Sequence, residues 1–323
     1  FMHYSFLEYY TAAGLLSTDY SEVLSRLSRN PRWKDVTTLM FGILSDHSDV
    51  TTQLKDLLID ETSADAITKY KLLLGMDCAS ECDVPPEGAQ DLLADEIYST
   101  VANGAARYSP ELRGEIAERL RYFLQGAGPR IEVALVRGLR TSDPIAKAAF
   151  CDLISRIDSS IKLPPEIVLA FSECLAEDHP AVQASAMLAI ETHASLRNDK
   201  TIDAIGKALK GNISEKHAAL KVVCAVPEFH GSLTDKIRPL LDDNNALISG
   251  LAADCLLAYG LRGGHDADET REKVLSKLNQ SEHDTGISRT YVTFDQTTLD
   301  TMIADQNPTV RELAIRYVPL VSD

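Results

Sequence analysis

The sequence predicts an all-α protein, a helical connector followed by an α-solenoid of HEAT-like helix-pair repeats. Three observations predict it. Almost every segment places apolar residues at three- and four-residue steps, the period of a helix with one buried face. Proline, glycine and asparagine interrupt these segments at the spacing of short helix connections. From about residue 140 a polar turn, often with proline, and an alanine-rich helix recur every thirty-odd residues, the mark of stacked helix pairs.

The opening FMHYSFLEYYTAAGLL sets Phe6, Tyr9, Tyr10, Ala13 and Leu16 on one helical stripe. No N-cap residue stands before it. The expectation is that this chain continues a longer one, whose preceding part packs on the first helix. The stretch has no basic n-region and contains Glu8, so it does not read as a signal peptide.

Helical spacing continues through YSEVLSRLSR, WKDVTTLMFGILS, DVTTQLKDLLID and SADAITKYKLLLG, then EGAQDLLADEIYSTVA, SPELRGEIAERLRYFL and RIEVALVRGL. Breakers fall at Asn30-Pro31, Pro85-Pro86, Ser109-Pro110 and Gly126-Ala127-Gly128-Pro129. Ser109 followed by Pro110 is a helix start, with a serine cap and proline in the first helical position. SRTYVTFD has strand-like composition, but one short run cannot make a sheet.

The 323 residues, 45% hydrophobic and 25% charged, can fill a sizeable core. No apolar run approaches the roughly 18 to 20 residues that cross a bilayer, so no membrane partner is expected. The net charge of −16 argues against a nucleic-acid partner, because such binding rests on Lys and Arg contacts to phosphate. One island departs from this acidity: Arg107, Arg113, Arg119, Arg121, Arg130, Arg137 and Arg140 against Glu111, Glu115, Glu118 and Glu132. It reads as solvated helix faces with i,i+4 pairs such as Glu115 with Arg119. The alternative is a docking patch for an acidic partner.

Six cysteines occur, at 78, 82, 151, 174, 224 and 255. Cys151, Cys174, Cys224 and Cys255 sit in apolar helical contexts, where cysteine packs as a small core residue. Cys78 and Cys82 could share a helix face, but no second pair completes a four-ligand zinc site. Reduced thiols are expected.

The repeated half begins with TSDPIAKAAFCDLI and continues with EDHPAVQASAMLAI, DDNNALISGLAADCLL and ADQNPTVRELAIRYV. The anchors Asp143, Asp178, Asp243 and Asp305 are 35, 65 and 62 residues apart. The two longer gaps each hold about two units, and LKGNISEKHAALKVV falls midway through the first. Ala148, Ala149, Ala184, Ala186, Ala252 and Ala253 are expected in the seams where neighbouring helices approach. YGLRGGHDADETRE reads as an exposed insertion, with Asp266 or Asp268 capping the next helix.

On these residues the segment from about 130 to 321 resembles HEAT repeats of the short form with an Asp-x-x-Pro-x-Val turn. Asp178–Val182 and Asn307-Pro308-Thr309-Val310-Arg311 match best, while Asp143-Pro144-Ile145 is tighter and the third copy lacks its proline. The domain reading is a connector over residues 1–135 and a solenoid over residues 136–323.

The opening stretch resembles the end of the winged-helix region of NACHT-type STAND nucleotide switches. Phe1, His3, Ser5, Phe6, Glu8, Tyr9, Ala12 and Ala13 occupy the family's pattern, which departs at Tyr10-Thr11. NPRWKDVTTLMFGILS resembles the Pro-Arg-Trp-x-x-Val segment and apolar helix of bacterial members. The resemblance covers about residues 1–60. It implies that His3 contacts the β-phosphate of ADP in the full-length protein and helps hold a closed state. It also implies ATP/ADP with magnesium in an N-terminal NACHT region of the same chain, a protein trigger on the solenoid, oligomerisation only on activation, and a cytoplasmic role in prokaryotic defence or stress signalling.

The sequence itself contains no Gly-x-x-x-x-Gly-Lys-Ser/Thr, so these 323 residues are expected neither to bind ATP usefully nor to act as an enzyme. A stand-alone HEAT-repeat scaffold is the alternative reading. HEAT-like metal hydroxylases carry His-Glu dipeptides, and none of the eight histidines here precedes a glutamate.

Overall fold

The computed structural model describes residues 4–17, 20–44, 47–59, 69–175, 177, 179–261 and 304. Fifteen α-helices and no strand occupy those residues. In chain order they are α1 (Tyr4–Leu16), α2 (Tyr20–Leu27), α3 (Lys34–Ile43), α4 (His47–Ile59), α5 (Tyr70–Ser80), α6 (Glu87–Ala102), α7 (Pro110–Tyr122) and α8 (Pro129–Leu139). The second half adds α9 (Pro144–Ser155), α10 (Pro165–Leu175), α11 (Pro180–Thr192), α12 (Asp199–Ala208), α13 (Ile213–Ala225), α14 (His230–Ile237) and α15 (Ala246–Leu261). SRTYVTFD, the acidic insertion with Asp266 and Asp268, and the anchors Asp178 and Asp305 lie outside the described residues.

Local chemistry sets the helix starts. Proline, which needs no hydrogen-bond partner for a missing N–H, opens α7, α8, α9, α10 and α11. Ser109 Oγ accepts from Leu112 N at 3.1 Å, as its sequence position predicts. Asp143 accepts from the amides of Ile145 and Ala146 and caps α9. Asn212 and Glu215 form a reciprocal capping box on α13. The repeat turn without proline is capped by Asn245, which accepts from Leu247 N and Ile248 N. The Gly126–Pro129 break closes α7: Gly126 takes φ +106°, a left-handed geometry that disfavours any residue with a Cβ.

Two compact units divide the chain, Phe1–Leu196 and Arg197–Asp323. In the first, odd helices stack on odd helices in the order α1, α3, α5, α7, α9, α11. The even helices α2, α4, α6, α8 and α10 form a second row in the same way. Each consecutive pair is therefore one hairpin of a stacked array, and stacking begins at α1. In the second unit α12 packs on α14 and α13 on α15. Residue 135, the expected boundary, lies inside α8 of the first unit.

The seams bury what stacked helices must bury. Phe41, Phe123, Phe150 and Phe171 are fully enclosed in the first unit and Phe229 in the second. Ala148, Ala149, Ala186, Ala252 and Ala253 are buried as expected, but Ala184 is exposed on the outer side of α11. Gly138 lets α8 approach α9 closely, since a Cβ there would stand 2.5 Å from ring atoms of Phe150. The rows are also tied electrostatically. Lys147, fourth residue of α9, pairs with Glu177 in the turn before α11. Lys216, fourth residue of α13, pairs at 2.7 Å with Asp243 in the turn before α15. Asp143 and Asp243 each serve both their own turn and the preceding repeat: Asp143 caps α9 and meets Arg107, and Asp243 accepts from Asn245 N and meets Lys216.

Candidate partner-binding surfaces

All seven arginines of the basic island reach carboxylates on other helices or turns. Arg119 on α7 clamps Asp77 of α5 with Nε at 2.9 Å and Nη2 at 3.2 Å. Arg113, itself buried, donates to Asp152 at 2.6 Å and to the carbonyls of Ala106 and Arg107. Arg107 meets Asp143 at 2.7 Å, and Arg121 lies 3.7 Å from Asp158. On the even row Arg130 meets Glu87 and Asp91, Arg137 meets Asp95, and Arg140 holds Glu173 through two nitrogens. Arg137 also lies 3.6 Å over the ring of Tyr98, a cation–π contact.

This corrects the local reading of the island. The pairing partner of Arg119 is Asp77, not Glu115, whose backbone carbonyl alone accepts from it. The pairs span 33 to 43 residues, about one repeat. Charges so committed tie hairpin to hairpin. Burial alone would raise Asp152; hydrogen bonds from Arg156 and Arg113 outweigh it and hold that carboxyl below the usual range.

Beside Asp77 lies a groove of about 440 Å³ between α5 and α7. Met76, Lys34, Arg119 and Tyr122 are among the residues that line it. Lys34 also binds Asp77, at 2.8 Å, so one carboxylate joins the start of α3 to α5 and α7. The Tyr122 hydroxyl donates to the Cys82 carbonyl at 2.7 Å.

Among the described residues, α1 carries more exposed large apolar side chains than any other helix. Phe6, Leu7, Tyr9 and Tyr10 are 57%, 58%, 47% and 64% exposed, whereas Ala12 is fully buried. The aromatic part of the stripe that the sequence predicts as a buried face is thus left open by this chain. Helix α1 packs on α3 and stands at the end of the odd row. An end repeat ordinarily shows water a polar outer face; this one shows it aromatic rings.

The cysteines also depart from expectation. Cys224 on α13 and Cys255 on α15 are joined as a disulfide, with Cα atoms 4.9 Å apart, inside the range such a bond requires. Cys78, Cys82, Cys151 and Cys174 are free. Burial pushes the thiols of Cys78 and Cys82 up, away from the thiolate form that binds metals. Among the described residues no group of three or more His, Cys, Asp or Glu gathers into a metal site. His3 lies outside the described residues. The acidic partners of the arginines and the Cys224–Cys255 pair escaped sequence reading; the available signal was a separation near one repeat length.

Stacked hairpins with a continuous seam define the class: an α-solenoid of helical repeats. No family model matches the chain, and no curated protein matches it. Among solved structures it is similar to the designed armadillo repeat protein YIII(Dq)4CqI, at 12% identity and a TM-score of 0.39, over 79% of this chain and 100% of that one. Among the described residues no helix is long and apolar enough to cross a membrane.

Proposed function

We propose that this solenoid binds proteins, and that it is the ligand-sensing, autoinhibitory C-terminal module of a NACHT-like signalling NTPase in prokaryotic defence or stress response, working in the cytoplasm. The reading rests on the motif from Phe1 to Ala13 and on one structural observation, the open aromatic face of α1. Large apolar patches on a folded protein mark interaction sites. A preceding NACHT region of the same chain is the occupant proposed for it, and a protein trigger binds elsewhere on the array. The 323 residues carry no glycine-rich phosphate loop, so no nucleotide step is assigned to them. ATP or ADP with magnesium belongs to the NACHT region, and oligomerisation to the activated full-length protein.

The test is to read the complete frame, express the region preceding Phe1 separately, and titrate it with residues 1–323. Binding that Phe6→Ser with Tyr10→Ser weakens at least tenfold is the expected result. A frame without a P-loop, or no binding between the two parts, would leave the stand-alone scaffold as the reading.

A further inference from the structure

The six cysteines contain two pairs that meet across helices, and the two differ in one respect. Cys151 on α9 and Cys174 on α10 are neighbours, both almost wholly buried and both free; the Cys174 thiol donates to the carbonyls of Leu139 and Ala170. Cys224 and Cys255 are bonded; Cys255 is 1% exposed but Cys224 is only half-buried. In the cytoplasm, the compartment proposed above, a disulfide is usually transient, catalytic or redox-sensing rather than a fixed structural staple. The bond also lies where it can act. It joins α13 to α15, consecutive members of one stacked row, across 31 residues of chain.

We propose that Cys224–Cys255 is a reversible redox latch on the stack of α13 and α15. Its oxidant is a low-molecular-weight disulfide, R–S–S–R. The Cys224 thiolate, the reachable one, attacks one sulfur of the small disulfide, forming Cys224–S–S–R and releasing RS⁻, which takes up a proton to become RSH. The Cys255 thiolate then attacks Cys224 Sγ; the Cys224–Cys255 bond forms, the bond to R breaks, and a second RSH leaves. Two protein thiols lose two protons and two electrons, and the small disulfide is reduced to two thiols. Burial sets this order, because no reagent reaches Cys255 first. The same argument puts Cys151 and Cys174, both almost wholly buried, out of the oxidant's reach.

The effect falls on the interface the bond crosses. Repeat arrays are stabilised by each repeat and by its contact with the next, so a cross-link between neighbours acts chiefly on that contact. Closing a loop of about this length favours the closed state by about 10²- to 10³-fold in the chain-entropy treatment. Oxidation therefore holds α13 on α15, and reduction lets the second unit open more often.

The experiment uses the whole chain, incubated with oxidised glutathione or with dithiothreitol. Alkylation after denaturation is expected to leave Cys224 and Cys255 unlabelled in the oxidised sample and to label all six cysteines in the reduced one. Peptide mapping should join Cys224 to Cys255. Hydrogen exchange of the native protein should quicken in α13 and α15 on reduction, by up to 10²- to 10³-fold, while α9 and α10 are unchanged. Cys224→Ser should abolish the difference between the two conditions, and Cys151→Ser should keep it. Six labelled cysteines after oxidation, a mixed disulfide at Cys224 that never resolves, or equal exchange in the two wild-type samples would overturn the latch. The wild-type comparison decides even if a variant fails to fold.

Discussion

Arg119 and Asp77 face each other across α7 and α5 in a two-nitrogen clamp, 2.9 and 3.2 Å long, with about a fifth of each side chain exposed. Planar guanidinium and planar carboxylate match in this geometry, which a lysine cannot reproduce. Because Asp77 also holds Lys34, removing it strands two cations at the junction of α3, α5 and α7.

Asp77→Ala is therefore expected to destabilise the first unit by about 1 to 3 kcal/mol. That is below the value for a fully buried pair broken on one side, because water still reaches these groups. Arg119→Lys should recover only part of the wild-type stability. Arg130→Ala removes a more exposed pair on the even row and should cost less than either. Urea denaturation midpoints of the four proteins check the order.

His193 contributes to the pH dependence of stability. It is 1% exposed, its Nε2 lies 2.9 Å from the Ile154 carbonyl, and its Nδ1 is buried without a hydrogen-bond partner. Burial pulls its pKa down; the bond to Ile154 and the carboxylate of Asp158, itself near Arg121, oppose that without reversing it. The folded protein thus holds His193 neutral where the unfolded chain, titrating near 6.5, would protonate it. Stability should be full above about pH 6.5 and fall as the pH drops from there toward the depressed folded value. Denaturation midpoints between about pH 5 and 8 should slope upward in wild type. His193→Gln, which keeps a donor but cannot titrate, should lessen that slope and leave the part that comes from His217, whose pKa burial also pulls down.

Two glycines on neighbouring helices should respond oppositely to the same change. Gly138→Ala drives a methyl group into the Phe150 ring and should cost about 1 to 3 kcal/mol, the usual penalty of overpacking. Gly114 of α7 has nothing within 4 Å of the site of a Cβ. Gly114→Ala should stabilise by about 0.5 to 1 kcal/mol through helix propensity alone. Thermal melts of both variants make the comparison.

The sequence showed the helices plainly, because three- and four-residue apolar spacing and proline at the first helical position are local signals. Ser109 and Pro110 act where their positions predicted. What it hid was tertiary. The stacking of α1 through α8 has no recurring Asp-Pro turn to announce it, although odd helices meet odd helices there as they do further on. The arginine island was visible as composition, but Asp77, Asp95 and Glu173 become its partners only when chain one repeat apart is brought together. Phe6, Tyr9 and Tyr10 show the same limit from the other side: helical spacing identifies a stripe and cannot say what covers it. The Cys224–Cys255 bond follows the same rule, since its 31-residue spacing has meaning only once α13 lies on α15.

His3, which lies outside the described residues, carries the sharpest consequence of the proposed switch. An imidazole donating to the ADP β-phosphate would stabilise only the closed state. A hydrogen bond to a charged acceptor contributes about 1.5 to 3 kcal/mol. At about 1.4 kcal/mol per factor of ten, its loss should raise the open-to-closed ratio roughly ten- to hundredfold. His3→Ala in the full-length protein is thus expected to signal without its trigger. The 323-residue chain carrying the same change should melt like wild type, because the side chain acts on a nucleotide that this chain does not itself cradle. Basal output in cells, with protein levels matched, is the measurement. Output equal to wild type, with ADP binding shown intact, would remove His3 from the switch and leave its resemblance to the family motif without a function.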